Sequence, residues 1–393
     1  MRFWKACICG KINQMKTAQS SPLSIVDALT AGLGAALARP WLIAIPAAID
    51  LGLWLSPRLT INILVQRFLA IWEALFRLSF SASQQPVTGD MVSTVREGMT
   101  QMGQGVNLAD LITGSWLSMP SAVATIQSPR LTLISDVVMA PFGLGIKLRS
   151  VAPAPWQGPA LEITSFWVAL LIVVGLWACS QLIAAVILRA AAAKPIPPAT
   201  QQPDAPQTEA ADPPVRHWRG VPGLLALTAR LAGFTLLLAL VVFFLYLPLG
   251  LALLFVTSSG NAAASMIFAM MGGLTLWMLM WLLTSVFFVS EALIVDGRPF
   301  WASLWDSFRL TRLNSLRTFG LVALVNVILL GFRAAWGLVG QTPAGAIVAI
   351  FGNAYLVIAM LLAVYAYYAE LRRRAAPKQE ARKTNDRSGP NGQ

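Results

Sequence analysis

Charge is scarce in this chain. Asp, Glu, Lys and Arg make up 12 % of 393 residues, where a soluble domain carries about a quarter. Too few charges are present to cover a water-facing surface, which excludes an ordinary soluble fold. Histidine is nearly absent: His217 is the only one, beside Trp218 and Arg219 in a Pro-rich stretch. General-base chemistry needs a positioned partner, so His217 reads as a solvated loop residue. The three cysteines, Cys7, Cys9 and Cys179, cannot build a disulfide framework, and none has a second Cys or His pair at zinc-site spacing. Cys179 lies in an apolar run and reads as a small packing residue. Also missing are His-Glu-x-x-His, Gly-x-Ser-x-Gly and a phosphate-cradling Gly-rich lysine loop. No catalytic residue, cofactor or metal is therefore expected. The N-terminus has no apolar run behind a basic start, which excludes a cleaved signal peptide. Residues 1–14 differ in character from the capped helix beyond them, and Met15-Lys16-Thr17-Ala18 offers an alternative start.

Apolar residues are what the chain does have. They make up 56 % of it, with a mean hydropathy of +0.66, and they fall in long blocks. About 20 such residues in a helix cross roughly 30 Å of hydrocarbon. The fold class expected is an all-α polytopic transmembrane helix bundle with six spans: 41–55, 164–188, 231–256, 264–289, 318–339 and 344–368. Amphipathic stretches accompany them. Residues 21–38 read as an interfacial helix, capped by Ser21 with Pro22 at the first helical position. In 59–80, Ile61, Leu64, Phe68, Trp72 and Leu75 form an apolar face, with Asn62, Gln66, Glu73 and Arg77 opposite. In 299–316, Trp301, Leu304, Trp305 and Phe308 form the apolar face, while Asp306 and Arg309 point elsewhere. With Arg312 and Arg317, that helix suits a membrane surface carrying anionic headgroups.

Composition also marks boundaries. Residues 1–20 form a basic segment, and 21–189 a two-span part with an external region, 57–163. Residues 190–219, rich in Pro and poor in large apolar groups, read as a disordered linker. A four-span part occupies 220–369, and a basic tail 370–393. Leu131 to Leu148 is apolar but interrupted by Asp136, Pro141, Gly143 and Gly145, and reads as a dip or surface helix. The amphipathic stretches 21–38 and 217–230 each feed a span, without sequence similarity strong enough to make a repeat.

The net charge of +12 would fit nucleic acid, but its placement fits a membrane better. Lys and Arg gather before the first span, in the linker, after the fourth span and after the sixth. The loops at 257–261 and 340–343 carry none. By the positive-inside rule both termini face the cytoplasm. The partners expected are the lipid bilayer, with anionic lipids at the cytoplasmic face, and a protein, but no nucleic acid.

Two charges fall inside spans, Asp50 and Arg333. An ionisable residue at depth is a site hypothesis by default. Both lie about 10–12 Å from the outer end of their spans at 1.5 Å per residue, so pairing would offset their desolvation. The alternative is that each snorkels outward. The acids Asp90, Glu97, Asp110 and Asp136 share the external region and read as solvated. Ser265, Ala269 and Gly273, and Ala359 and Ala363, recur every four residues, a spacing that lets helix backbones approach within a bundle.

The run Glu291-Ala292-Leu293-Ile294-Val295-Asp296-Gly297, followed by Ser307, Leu310, Asn314 and Gly320, resembles bacterial polytopic proteins grouped around the membrane domain found beside some glycerophosphodiester phosphodiesterases. The resemblance implies a span ending in an acid, a surface helix of the form Ser-x-x-Leu-x-x-x-Asn, and a Gly opening the next span. The catalytic barrel of those phosphodiesterases is absent, so their activity is not implied. A bacterial inner-membrane protein is. The function expected is a non-enzymatic scaffold, assembly or regulatory component. The alternatives are a transporter or channel using Asp50 and Arg333, or a lipid-modifying membrane enzyme using the external acids.

Overall fold

The computed structural model describes residues 24–81, 93, 96, 97, 99, 100, 107–113, 121–123, 160–193, 218, 220–259 and 262–387. The segment 1–20 with Cys7, Cys9 and Met15, the stretch 131–148, Asp90, His217 and most of the linker lie outside the described residues.

Helix α1, Ile25–Leu37, starts at Ser24 rather than Ser21. Ser24 Oγ accepts from the Asp27 N–H at 3.1 Å, and the Asp27 carboxylate accepts from the Ser24 N–H at 3.0 Å, a reciprocal cap that satisfies two otherwise orphaned donors. Helix α2, Pro40–Leu55, follows at an angle of 82°. The break falls where Pro40 lacks an N–H to continue the ladder. Arg39, at the bend, is buried, and its guanidinium donates to the Ala191 carbonyl at 3.1 Å. That carbonyl ends a helix, where the dipole favours a cation. The reading of 21–38 as a surface helix is corrected here, because Ala28, Leu29, Gly32 and Ala36 of α1 are buried among the other helices.

Residues 59–60 and 161–162 meet at the two ends of the segment between the first two spans. Strands β1, Leu59–Thr60, and β2, Leu161–Glu162, pair in parallel. Helix α3, Asn62–Ser81, follows β1. Val65 and Leu69 are buried, while Phe68, Ile71, Leu75 and Leu78 are exposed. Glu73, expected on the polar face, is buried and receives two bonds from the Arg96 guanidinium, at 2.7 and 2.6 Å. A paired carboxylate can turn inward where an unpaired one cannot.

The remaining helices are α4 (Phe166–Ala192), α5 (Gly220–Ser259), α6 (Ala262–Ser285), α7 (Val289–Val295), α8 (Phe300–Leu313), α9 (Ser315–Val339) and α10 (Pro343–Arg387). Five segments are long and apolar enough to cross a membrane, and the bent α1–α2 pair makes a sixth. The chain is an all-α polytopic helix bundle. Its centre is α10: 72 % of that helix's most apolar stretch is buried, against 28 % in α4 and α5 and 22 % in α9. The outer helices leave Trp167, Leu171, Phe243, Leu274 and Trp277 exposed, as lipid-facing helices do. Residues 220–230 form the first turns of α5 and run directly into the span.

The fourth span is broken at 286–288 and resumes as α7. Helix α8 splints the break. Ser307 Oγ donates to the Ser285 carbonyl at 2.8 Å and accepts from the Phe288 N–H at 3.1 Å. One hydroxyl thus satisfies two backbone groups that the break would orphan. Leu310 is buried beside it, and the Asn314 amide donates to the Leu310 carbonyl at 3.2 Å where α8 passes into α9. Ser307→Ala is expected to cost about 1–3 kcal/mol for each group left without a partner, read as a lower midpoint of thermal unfolding in detergent. Ser303→Ala, one turn away, is expected to be neutral or mildly stabilising, because the buried Ser303 hydroxyl has no hydrogen-bond partner among the described residues.

Candidate functional site

Asp50 lies in the last turns of α2 and is 3 % exposed. Its carboxylate accepts from the Ala122 N–H at 2.8 Å and also hydrogen-bonds the side chains of Ser121 and Asn353. Three parts of the chain converge on it: α2, the segment 121–123, and α10. Ala122 and Val123 pack beside Ala47, Trp54, Ala346 and Ile350, so this segment packs on the bundle and is held there by the carboxylate.

Asp110, expected in solvent, is buried within the turn Leu108–Ile112, near enough for Asp50 to feel its charge. Asn107 organises that turn. Its Oδ1 accepts from the N–H groups of Leu59 and Ala109 at 2.9 and 3.2 Å, and its Nδ2 donates to Asp110 at 3.1 Å.

The expected pair is not among the ion pairs of the described residues. Arg333, half-buried on α9, is not among the groups that Asp50 meets. Span position set the height of the two residues in the bundle but not the rotation of α2, which turns Asp50 towards α10 and the segment 121–123.

A second polar centre lies about 22 Å along α10, at 1.5 Å per residue from Asn353 to Tyr368. Asp296, just after α7, accepts from the Tyr368 hydroxyl at 2.7 Å and pairs with Arg372 at 2.9 Å. Glu291 is fully buried and accepts from the Ser290 hydroxyl at 2.8 Å. Arg298 pairs with Asp306 of α8. Arg230 donates to the Arg298 carbonyl at 3.0 Å and lies over the Trp218 ring, 4.9 Å from its centroid. Trp218, placed in the linker by composition, is buried and donates to the Ile294 carbonyl at 3.2 Å. Sequence reading missed this centre. Its signal was three acids, Glu291, Asp296 and Asp306, beside the basic run that ends the last span.

On α8 the expected faces are partly exchanged. Trp301 and Trp305 do point outward, at 69 % and 68 % exposure. Asp306 is buried, and Arg309 and Arg312 are exposed with the tryptophans. Of the small-residue ladders, Ala359 and Ala363 pack against Gly32 of α1, whereas Gly273 faces open space on α6. Ser265 lies outside the described side chains. Among the described residues no group of three or more His, Cys, Asp or Glu could hold a metal ion.

An integral membrane protein with a buried polar centre at each end of one central helix is the class that this arrangement defines. No protein-family model, curated protein or solved structure matches the chain.

Proposed function

We propose that the chain is a non-enzymatic scaffold, assembly or regulatory component of a bacterial plasma membrane, with both termini in the cytoplasm. One observation carries this reading. The two buried polar centres spend their hydrogen bonds on holding chain segments together: Asp50 ties segment 121–123 to α2 and α10, and Asp296 ties α7 to α10. A bundle locked at both ends, with an external segment docked on it, suits a platform that presents surfaces to a partner. The basic linker and tail support the orientation, and the resemblance around Ser307, Leu310 and Asn314 supports the bacterial setting.

A second reading, proton-coupled transport, draws on Asp50 itself. It is a buried carboxylate with neutral partners on a span bent by 82°, and broken helices with intramembrane acids recur in transporters. Proteoliposomes loaded with a pH-sensitive dye separate the two. The scaffold reading expects no proton flux beyond that of empty vesicles, together with discrete protein adducts from photoreactive residues at Phe68, Leu75 or Leu78 in native membranes. A proton flux that Asp50→Asn abolishes overturns it in favour of transport.

A further inference from the structure

Helix α8 has its polarity reversed with respect to a surface helix on a soluble protein. Ser303, Asp306, Ser307 and Thr311 face inward and are buried, while Trp301, Trp305, Arg309 and Arg312 face outward. At about 100° per residue these four outward residues fall within an arc of roughly 80°, so aromatic and cationic groups share one stripe. It continues past Asn314 through the exposed Leu316 and Arg317.

The depth of α8 is set by its connections. It is joined to the fourth span through the short turn at Gly297, whose φ of 61° suits glycine, and to α9 without a break longer than Asn314. Both neighbours are long and apolar enough to cross a membrane, and α8 joins their ends, the level at which a spanning helix leaves the hydrocarbon. Tryptophan favours it, and guanidinium groups bind phosphate through paired hydrogen bonds. Arg298, Arg372, Arg373 and Arg374 each pair with a carboxylate, whereas among the described residues Arg309, Arg312 and Arg317 have no carboxylate partner.

We propose that the outward stripe of α8 and the start of α9 bind the phosphate headgroups of anionic phospholipids. Trp301 and Trp305 lie at the boundary between headgroups and acyl chains, and Arg309, Arg312 and Arg317 lie on the phosphates. This rests on the chain being embedded in a membrane, and holds whether it assembles partners or moves solutes.

The full chain is purified from vesicles of phosphatidylglycerol and phosphatidylcholine, and retained lipid is counted by native mass spectrometry. Wild type should retain phosphatidylglycerol in preference. Arg312→Gln should weaken that retention about fivefold, the effect of one basic residue near an anionic surface, and the triple Arg309→Gln, Arg312→Gln, Arg317→Gln variant should abolish the preference. Arg58→Gln, exposed near the other end of the bundle, should leave it unchanged. If the triple variant does not fold, the three single variants carry the same comparison. Unchanged retention in the α8 variants overturns the proposal, as does a photoreactive residue at Trp305 that captures protein rather than lipid in native membranes.

Discussion

Gly32→Leu is expected to prevent the bundle from assembling. A Cβ at Gly32 would lie 2.6 Å from the Ala363 backbone nitrogen and 2.7 Å from the Ala363 Cβ, and would also collide with the Ala359 carbonyl oxygen. Two of the three obstacles are backbone atoms, which cannot swing away as a side chain can. Ala28, Gly32 and Ala36 line the same buried stripe of α1, so the whole helix would have to lift off α10. In lipid, close packing drives helix association without help from a hydrophobic effect between the helices, so separating them forfeits most of what holds α1. The cost should reach or exceed about 3 kcal/mol, the upper part of the usual overpacking range. It is read as loss of monodisperse protein in detergent, or as a large fall in unfolding midpoint. Gly34→Leu is the control. It lies on the same helix with nothing within 4 Å of its Cβ, and should leave stability near wild type. Equal damage from both would place the fault in helix formation rather than packing.

Asp50→Ala is expected to be the most damaging loss of a polar group around segment 121–123. Removing the carboxylate leaves the Ala122 N–H, the Ser121 hydroxyl and the Asn353 amide without that acceptor, at about 1–3 kcal/mol for each buried group not rehydrated. Asp50→Asn keeps one acceptor oxygen and should cost less. Double-mutant cycles, read by thermal stability in detergent, test the assignment of partners. Asp50→Ala with Asn353→Ala should be strongly non-additive, because the two share a bond. Asp50→Ala with Arg333→Gln should be additive within about 0.5 kcal/mol, the scatter of independent sites. A strong coupling to Arg333 instead would restore the ion pair that the sequence suggested. The Asp50→Ala variant should also expose segment 121–123 to external protease, since its tether to α2 and α10 is gone.

Some of the outer-end site could be read in advance. Asp50 stood out because a carboxylate in an apolar run is costly, and that cost does not depend on the fold. Its partners did not stand out, because Ser121, Ala122 and Asn353 are ordinary residues 70 and more positions away. Asp110 was read as solvated because the sequence gives no sign that this part of the chain folds back onto the bundle. Around α8, Ser307 and Asn314 were noticed as a pattern. Their work, repairing the break at 286–288 and closing the junction into α9, needed the neighbouring helix to be in place. Periodicity grouped Trp301 and Trp305 on one face of α8, and both are exposed, with Arg309 beside them. Asp306 was not buried in that reading, since only the position of Arg298 shows that the acid has a partner.

Composition and block length by themselves determined that this chain is an all-α membrane bundle, and where most spans lie. The reason is that hydrocarbon penalises every unsatisfied backbone group, so a long apolar block has one stable solution, a helix, whatever surrounds it. Tertiary structure decided the rest: that α1 enters the core, that α10 is the central helix, that Asp50 turns to Asn353 and Ala122, and that Asp296 joins Tyr368 and Arg372. Rotation about a helix axis costs lipid-facing apolar residues almost nothing. The azimuth of each span is therefore set by close packing at residues such as Gly32 and by single hydrogen bonds between distant parts of the chain.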